Sequence, residues 1–281
     1  MNKIIFIADF FANQILGGGE LNNEALISVI ENKGYSVLKV QCADVTLDLI
    51  ERHKDANFII SNHSLLHVDA KKKLCNLCYV IYEHDHQYLR RRNPAEFADF
   101  IAPKSEIVNY DFYKNAVSIF CQSSFHKSIM KSNLGFENII NLSGNLWESN
   151  ILDYLEQLSV KEKSTKCSVM DSPIKHKNTR QSIRFCEYKN YDYQLVSSGD
   201  YRTFLDLLSN NQKFVFFPKT PETLSRVIVE ARMCGMSVIT NDRVGATKEE
   251  WYSLKGVDLI NKVRQMREDI PNKVLEALNV N

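Results

Sequence analysis

No apolar run in the 281-residue chain reaches the length of a membrane span. Neither sign of charge dominates. The formal net charge of +1 gives no electrostatic reason to expect a nucleic-acid partner. There is no Gly-x-Gly-x-x-Gly fingerprint, no P-loop, no internal repeat and no low-complexity segment. The absent fingerprint argues against a nicotinamide-dependent oxidoreductase. Seven cysteines, an odd number scattered along the chain, do not form a disulfide scaffold. The one Cys-x-x-Cys pair, Cys75-Asn76-Leu77-Cys78, lacks the second pair a zinc site needs. It also runs directly into a strand, whereas a redox pair opens a helix. Cys42, Cys121 and Cys167 lie in or beside apolar runs and read as small core residues. These features fit a reducing cytoplasm. Met1-Asn2-Lys3-Ile4 opens like a signal peptide, but the run ends at Asp9 with no small-residue cleavage site, so a first strand is expected.

What is present is a soluble globular composition, 44% hydrophobic and 25% charged, long enough for two compact domains. Apolar runs at Ile4–Ala8, Tyr35–Val40, Asn57–Ser61, Cys78–Tyr82, Val117–Cys121 and Ile139–Leu142 alternate with helical stretches. This is the pattern of a doubly wound α/β domain, its continuous runs suited to parallel strands covered on both faces. Gly144-Asn145 is a turn signal, and Trp147–Leu158 reads as a helix, so a domain junction is expected near Ser143–Trp147. Cys167–Met170 and Tyr193–Val196 read as strands, Tyr201–Leu208 as a helix, and the segment from Ser253 to Leu278 carries a helical pattern.

The stretch with most chemical content runs from Pro221 to Thr240. A buried strand at Phe214–Phe217 precedes it, a helix with apolar face Leu224, Val227, Ile228 and Ala231 follows, Gly235 stops the helix, and Ser237–Thr240 is the next strand. Ligands of such βαβ units sit at the strand carboxyl ends, facing helix N-termini. With a helix beginning near Leu224, the amides of Thr223, Leu224 and Ser225 are expected to meet an anion. Glu222 then stands at the helix mouth and Glu230 roughly 9 Å along the axis, at about 1.5 Å per residue. Each glutamate taken alone also reads blandly, Glu222 as a first-turn acid and Glu230 as a solvated helix residue.

The whole string resembles the Glu-x7-Glu signature of the retaining, family-4-like GT-B glycosyltransferases, through Glu222, Glu230-Ala231, Gly235 and Val238-Ile239. It departs at Leu224-Ser225, where that family usually has Phe-Gly, and at Ser237, where it usually has Pro. Three further elements follow the family's order. Gly17, Gly18 and Glu20, with Gly19 between, resemble its glycine loop after the first strand, which lies beside the donor diphosphate and the acceptor. His84-Asp85 resembles its His-Asp after a later strand, near the donor sugar. Lys177-Asn178 resembles its diphosphate-binding element, where Lys175 or Arg226 takes the place of a missing arginine.

The resemblance implies two Rossmann-like domains facing a central cleft, at 1–146 and 147–281, the second shortened and carrying a terminal helix that packs back across the first domain. It implies transfer of a sugar, with retention, from a nucleoside-diphosphate sugar to a hydroxyl of a glycan, polysaccharide or lipid-linked acceptor. Glu222 would position the sugar and Glu230 the ribose. Lys177, with Lys175 or Arg226, would hold the diphosphate, and His84 the sugar or acceptor. Gly18, Gly19, Thr223, Leu224 and Ser225 would line the donor. No metal or other cofactor is implied, and peripheral membrane contact and oligomeric state stay open. The alternative is a nucleotide-sugar or glycan-binding protein without turnover. By their residues alone, His84 and His86 are also two metal ligands without a third, or turn histidines, and His63 is a cleft or turn residue. Arg90-Arg91-Arg92 is a solvated face or meets an anionic acceptor.

Overall fold

The computed structural model describes residues 3–279. Met1 and Asn2, part of the opening compared above with a signal peptide, lie outside the described residues. The chain forms two compact units, one made of residues up to Trp147 with those from Met266 onward, the other Glu148–Gln265.

The first unit is built on six parallel strands: β1 Lys3–Ala8, β2 Ser36–Gln41, β3 Asn57–Ile60, β4 Tyr79–Tyr82, β5 Ile119–Cys121 and β6 Ile139–Asn141, in the order β2-β1-β3-β4-β5-β6. Ile4, Ile5, Phe6 and Ile7 of β1 are fully buried, as a parallel strand covered on both faces requires. The connections carry α1 Gly18–Asn32, α2 Leu47–Arg52, α3 Val68–Leu74, α4 Tyr110–Lys114 and α5 Ser124–Leu134. Ser123 caps α5, its hydroxyl accepting the His126 amide at 3.0 Å.

The second unit holds α6 Ser149–Ser159, β7 Ser164–Met170, α7 Thr179–Tyr188, β8 Tyr193–Val196, α8 Tyr201–Ser209, β9 Asn211–Phe216, α9 Arg226–Met233 and β10 Ser237–Thr240. Its four parallel strands run in the order β10-β9-β7-β8. In both sheets the opening strand, β1 or β7, has its successor on one side and the third strand on the other. The second sheet is thus the first four strands of the same winding.

The last helix, α10 Val257–Ala277, crosses the boundary between the units. Residues from Met266 onward, numbered with the second domain but carried on a terminal helix expected to pack back across the first, group with the first unit. The cause is packing: Ile270, Val274 and Leu275 recur at helical spacing and are buried, and Met266 lies so close to Gly144 that a Cβ there would collide with its sulfur. Two expected helix starts also move. Trp147 is 1% exposed and precedes α6, which begins at Ser149. The helix expected from Leu224 begins at Arg226.

Candidate functional site

The reversal of strand order in the second sheet lies between β7 and β9, and the charged residues singled out by the sequence gather at the ends of these two strands. After β7 the chain makes a short turn over Lys175–Lys177 and enters a left-handed Asn178 (φ 58°). The Asn178 amide group donates to the Phe217 carbonyl at 2.9 Å, and the Thr179 hydroxyl to the Met170 carbonyl at 2.8 Å, tying the turn to both strand ends. This brings the Lys177 ammonium to 2.8 and 3.0 Å from the two carboxylate oxygens of Glu222. The pair is partly sheltered, its side chains 22% and 11% exposed. Lys175 in the same turn is exposed, and the structure does not bring it to the carboxylate.

Glu222 is fixed through its backbone. Its amide donates to the Arg243 carbonyl at 2.8 Å and its carbonyl accepts the Gly245 amide at 2.9 Å. The Leu224 carbonyl accepts the Ala246 amide, and the Leu224 side chain is fully buried. These bonds hold Glu222–Leu224 extended, which is why the helix does not start there. The anion-facing amides expected at Thr223, Leu224 and Ser225 therefore precede the helix, and Glu222 is not a first-turn acid. Ser225 makes the bend into α9 with φ 75°, in the left-handed region that favours glycine. That is the position where the resembled family carries glycine. The Ser225 hydroxyl is buried without a hydrogen-bond partner.

From a start at Arg226, Glu230 lies only about 6 Å along the axis. It is not solvated: it is 3% exposed, with its carboxylate accepting the Tyr201 hydroxyl at 2.6 Å and standing 3.6 Å from Arg226 Nε. Arg226 also reaches the Tyr201 hydroxyl, at 3.4 Å. Burial, then the neighbouring Glu230, pushes the Tyr201 pKa far up, so the phenol stays a donor. Sequence reasoning missed Tyr201. The only signal was its position just after Asp200, whose carboxylate caps α8 by accepting the Thr203 amide at 2.8 Å.

In the first unit, β4 delivers Glu83–His86 to the carboxyl edge of the sheet. His84 Nδ1 meets the Gln122 amide at 2.5 Å, and His84 Nε2 meets the Asn23 side-chain oxygen at 2.6 Å. Both ring nitrogens are thereby occupied, so the ring is held in one orientation. Gly19 allows α1 to come this close, since a Cβ there would lie 3.3 Å from both Asn62 and His84. Glu20 accepts from the Asn62 amide at 3.2 Å, and burial raises its pKa.

His86, His126 and His63 have partners other than His84. His86 is buried with Nδ1 at 3.1 Å from the Tyr88 hydroxyl, and His126 meets the Asp85 carbonyl at 3.0 Å. No group of three His, Cys, Asp or Glu among the described residues is arranged to hold a metal ion. His63, a candidate cleft residue, is fully buried, with Nε2 3.2 Å from the Tyr113 hydroxyl. Burial drives its pKa down to about 3. The same tyrosine donates to Glu83, whose carboxyl burial pushes up to about 8. These groups form a buried polar chain behind the site.

No protein-family profile matches the chain, and no curated protein sequence matches it. Solved structures do. An α-glucosyltransferase in complex with UDP and a 13-mer DNA containing an HMU base superposes with a TM-score of 0.56 at 12% identity, over 98% of this chain and 94% of that one. HepE of Anabaena, in complex with UDP and glucose, gives 0.53 at 13% identity, over 100% and 97%. An α-glucosyltransferase in complex with UDP-glucose and DNA containing an abasic site gives 0.52 at 12% identity, over 99% and 93%. The fold is GT-B, with two Rossmann-like units. Among the described residues no helix is long and apolar enough to cross a membrane.

Proposed function

We propose that the protein is a glycosyltransferase that takes a sugar from a nucleoside-diphosphate donor and transfers it, with retention, to an acceptor hydroxyl. The observation that carries this reading is the Lys177–Glu222 pair at the strand reversal of the second sheet, beside the opening of α9. The likeness to GT-B structures solved as complexes with UDP and UDP-glucose supports it.

In this reading Lys177 is the charge partner of the diphosphate, with Lys175 and Arg226 as further cations. Binding releases Glu222 to accept hydrogen bonds from sugar hydroxyls. Gly18, Gly19 and the Thr223–Ser225 backbone line the donor. The unpartnered Ser225 hydroxyl supplies a buried donor beside the start of α9. Glu230 is assigned to the ribose, with the Tyr201 hydroxyl holding its carboxylate until the ribose takes its place. In the first unit His84 serves the sugar or the acceptor. The leaving diphosphate helps deprotonate the acceptor, and cationic side chains stabilise the developing charge without a metal. The acceptor is read as a glycan or lipid-linked hydroxyl in the cytoplasm. The near-neutral net charge speaks against nucleic acid.

A second reading, a nucleotide-sugar binder without turnover, draws on the mutual neutralisation of Lys177 and Glu222 and on the short second sheet. A thermal-shift screen of nucleoside-diphosphate sugars identifies the donor, since a ligand at about 100 times its Kd stabilises by about 2.7 kcal/mol. Slow release of nucleoside diphosphate without acceptor then supports the enzyme. Tight binding without release supports the binder, and failure of every donor to bind refutes both. Activity surviving excess chelator is expected, and the anomeric configuration of the product tests retention.

A further inference from the structure

In the first sheet the strand order reverses between β1 and β3, the place where open α/β sheets hold ligands. A cavity of about 720 Å³ opens there, large enough for a sugar phosphate or a disaccharide. Its wall includes Asp9 after β1, Ser64 after β3, Glu20 of α1 and Lys71 of α3. Asp9 is already satisfied, accepting the Ser64 and Leu65 amides at 2.9 and 2.8 Å. Lys71 is not. Its ammonium reaches the Asn109 side-chain oxygen at 3.2 Å, and among the described residues no carboxylate stands within ion-pair distance of it. It is partly buried, and burial pushes its pKa down against the weaker opposing pull of Cys42 and Asp9. A sheltered ammonium with one neutral partner has unused capacity for an anion.

Arg90 and Arg92 also line the cavity. Their nearest carboxylates, Glu106 at 3.8 Å from Arg90 and Asp85 at 3.5 Å from Arg92, are loose pairs with both arginines more than half exposed. Such pairs exchange readily for a better anion. Arg92 and Asn109 both hold left-handed backbones, φ 54° and 57°, a conformation that asparagine tolerates and arginine rarely adopts. Three cations thus face the two carboxylates of Asp9 and Glu20, with Leu65, half exposed, as an apolar edge.

We infer that this cavity binds the anionic group, phosphate or carboxylate, of the acceptor, with Lys71 as its sheltered counter-charge and Arg90 and Arg92 at its mouth. Only the word acceptor rests on the glycosyltransferase reading; the anion site stands without it.

The test is a residue-resolved NMR titration of the full chain with inorganic phosphate, run beside a calorimetric titration with UDP. Phosphate is expected to shift the amides of Ser64, Lys71 and Asn109. Lys71→Met should weaken that response about tenfold or more, and Lys71→Arg should restore most of it. Arg90→Gln, at the exposed mouth, should weaken it less and guards against a Lys71 variant that fails to fold. UDP affinity should be the same in all of these proteins. No shift around Lys71, or a shift that Lys71→Met leaves intact, overturns the inference. Loss of UDP binding by the unaltered protein would refute the donor reading and leave the phosphate result to stand by itself. Co-sedimentation with equimolar phosphatidylglycerol–phosphatidylcholine vesicles, against phosphatidylcholine alone, assigns the source. Lysine-dependent sedimentation means a lipid headgroup, and phosphate binding without it means a soluble acceptor.

Discussion

The two units reverse their strand order beside the opening strand of each sheet, yet the reversal points are chemically unlike. In the second unit, charge is closed on itself: Lys177 holds Glu222, and Arg226 with Tyr201 holds Glu230. In the first unit, charge is left open: Lys71 has one neutral partner, and the arginines have loose ones. In the proposed reading, the same winding gives one site that exchanges an internal ion pair for its ligand and one with a cation open to an anion. On that reading the closed site of the second unit is opened by a ligand carrying both anionic and hydroxyl groups, whereas the open site of the first unit needs only the anion. That difference fits a large composite donor on the one side and a charged acceptor on the other.

The closed site is the one most easily broken. Glu230→Ala leaves the Arg226 guanidinium, 8% exposed, without its carboxylate, and should cost about 3–5 kcal/mol in urea denaturation. A loss below about 1 kcal/mol would show that the pair is not the closed unit described. Lys177→Ala should act differently, because its pair is nearer the surface. Its expected effect is on UDP affinity, weakened about tenfold to a hundredfold by calorimetry, with little change in stability. Unchanged affinity would remove Lys177 from the diphosphate.

In the first unit the buried chain behind the site gives a pH signature. Glu83 has a folded pKa of about 8, raised above its unfolded value, so the folded state binds the extra proton between the two. Stability therefore falls as pH rises through that interval. His63 and His126, pushed down to about 3, act oppositely, but only below the unfolded histidine value of about 6.5. Between about 6.5 and 8 the Glu83 contribution stands without theirs and is expected to cost about 2 kcal/mol. Glu83→Gln, which can still serve Tyr113 and the Asp85 amide, should flatten the stability profile there. A profile identical to that of the unaltered protein would mean that Glu83 does not hold its proton.

The smallest effect sharpens the comparison from the closed side. Ser225→Gly relieves a left-handed backbone and removes a buried unpartnered hydroxyl, while adding freedom to the unfolded chain. A net gain of about 1 kcal/mol is expected in the denaturation midpoint. A loss would show that the serine hydroxyl is engaged.

Much of this architecture is legible in the sequence because parallel strands buried on both faces must be nearly continuous apolar runs. Tyr193–Val196 and Ser237–Thr240 coincide with β8 and β10, and the other strand readings shift by at most a few residues. The Glu222–Glu230 string was visible as a motif. The Glu222–Lys177 pair was not, because their side chains meet across 45 residues of chain. Tyr201 carried no local signal for a partner on another helix. The start of α9 was misplaced because Leu224 has the periodicity of a helix face but gives its carbonyl to Ala246.

The sequence by itself determined the alternation of strands and helices, the shortness of the second winding and the places where glycine, serine and charge punctuate strand ends. These follow from local burial, backbone freedom and capping, which act over a few residues. Only the tertiary structure decided which charges are closed and which stay open. Whether Lys177 finds a carboxylate and Lys71 does not depends on the turn tied to β7 and β9 in one unit and on the crossover from β3 through α3 to β4 in the other. That pairing is fixed by sheet order, and no window of sequence contains it.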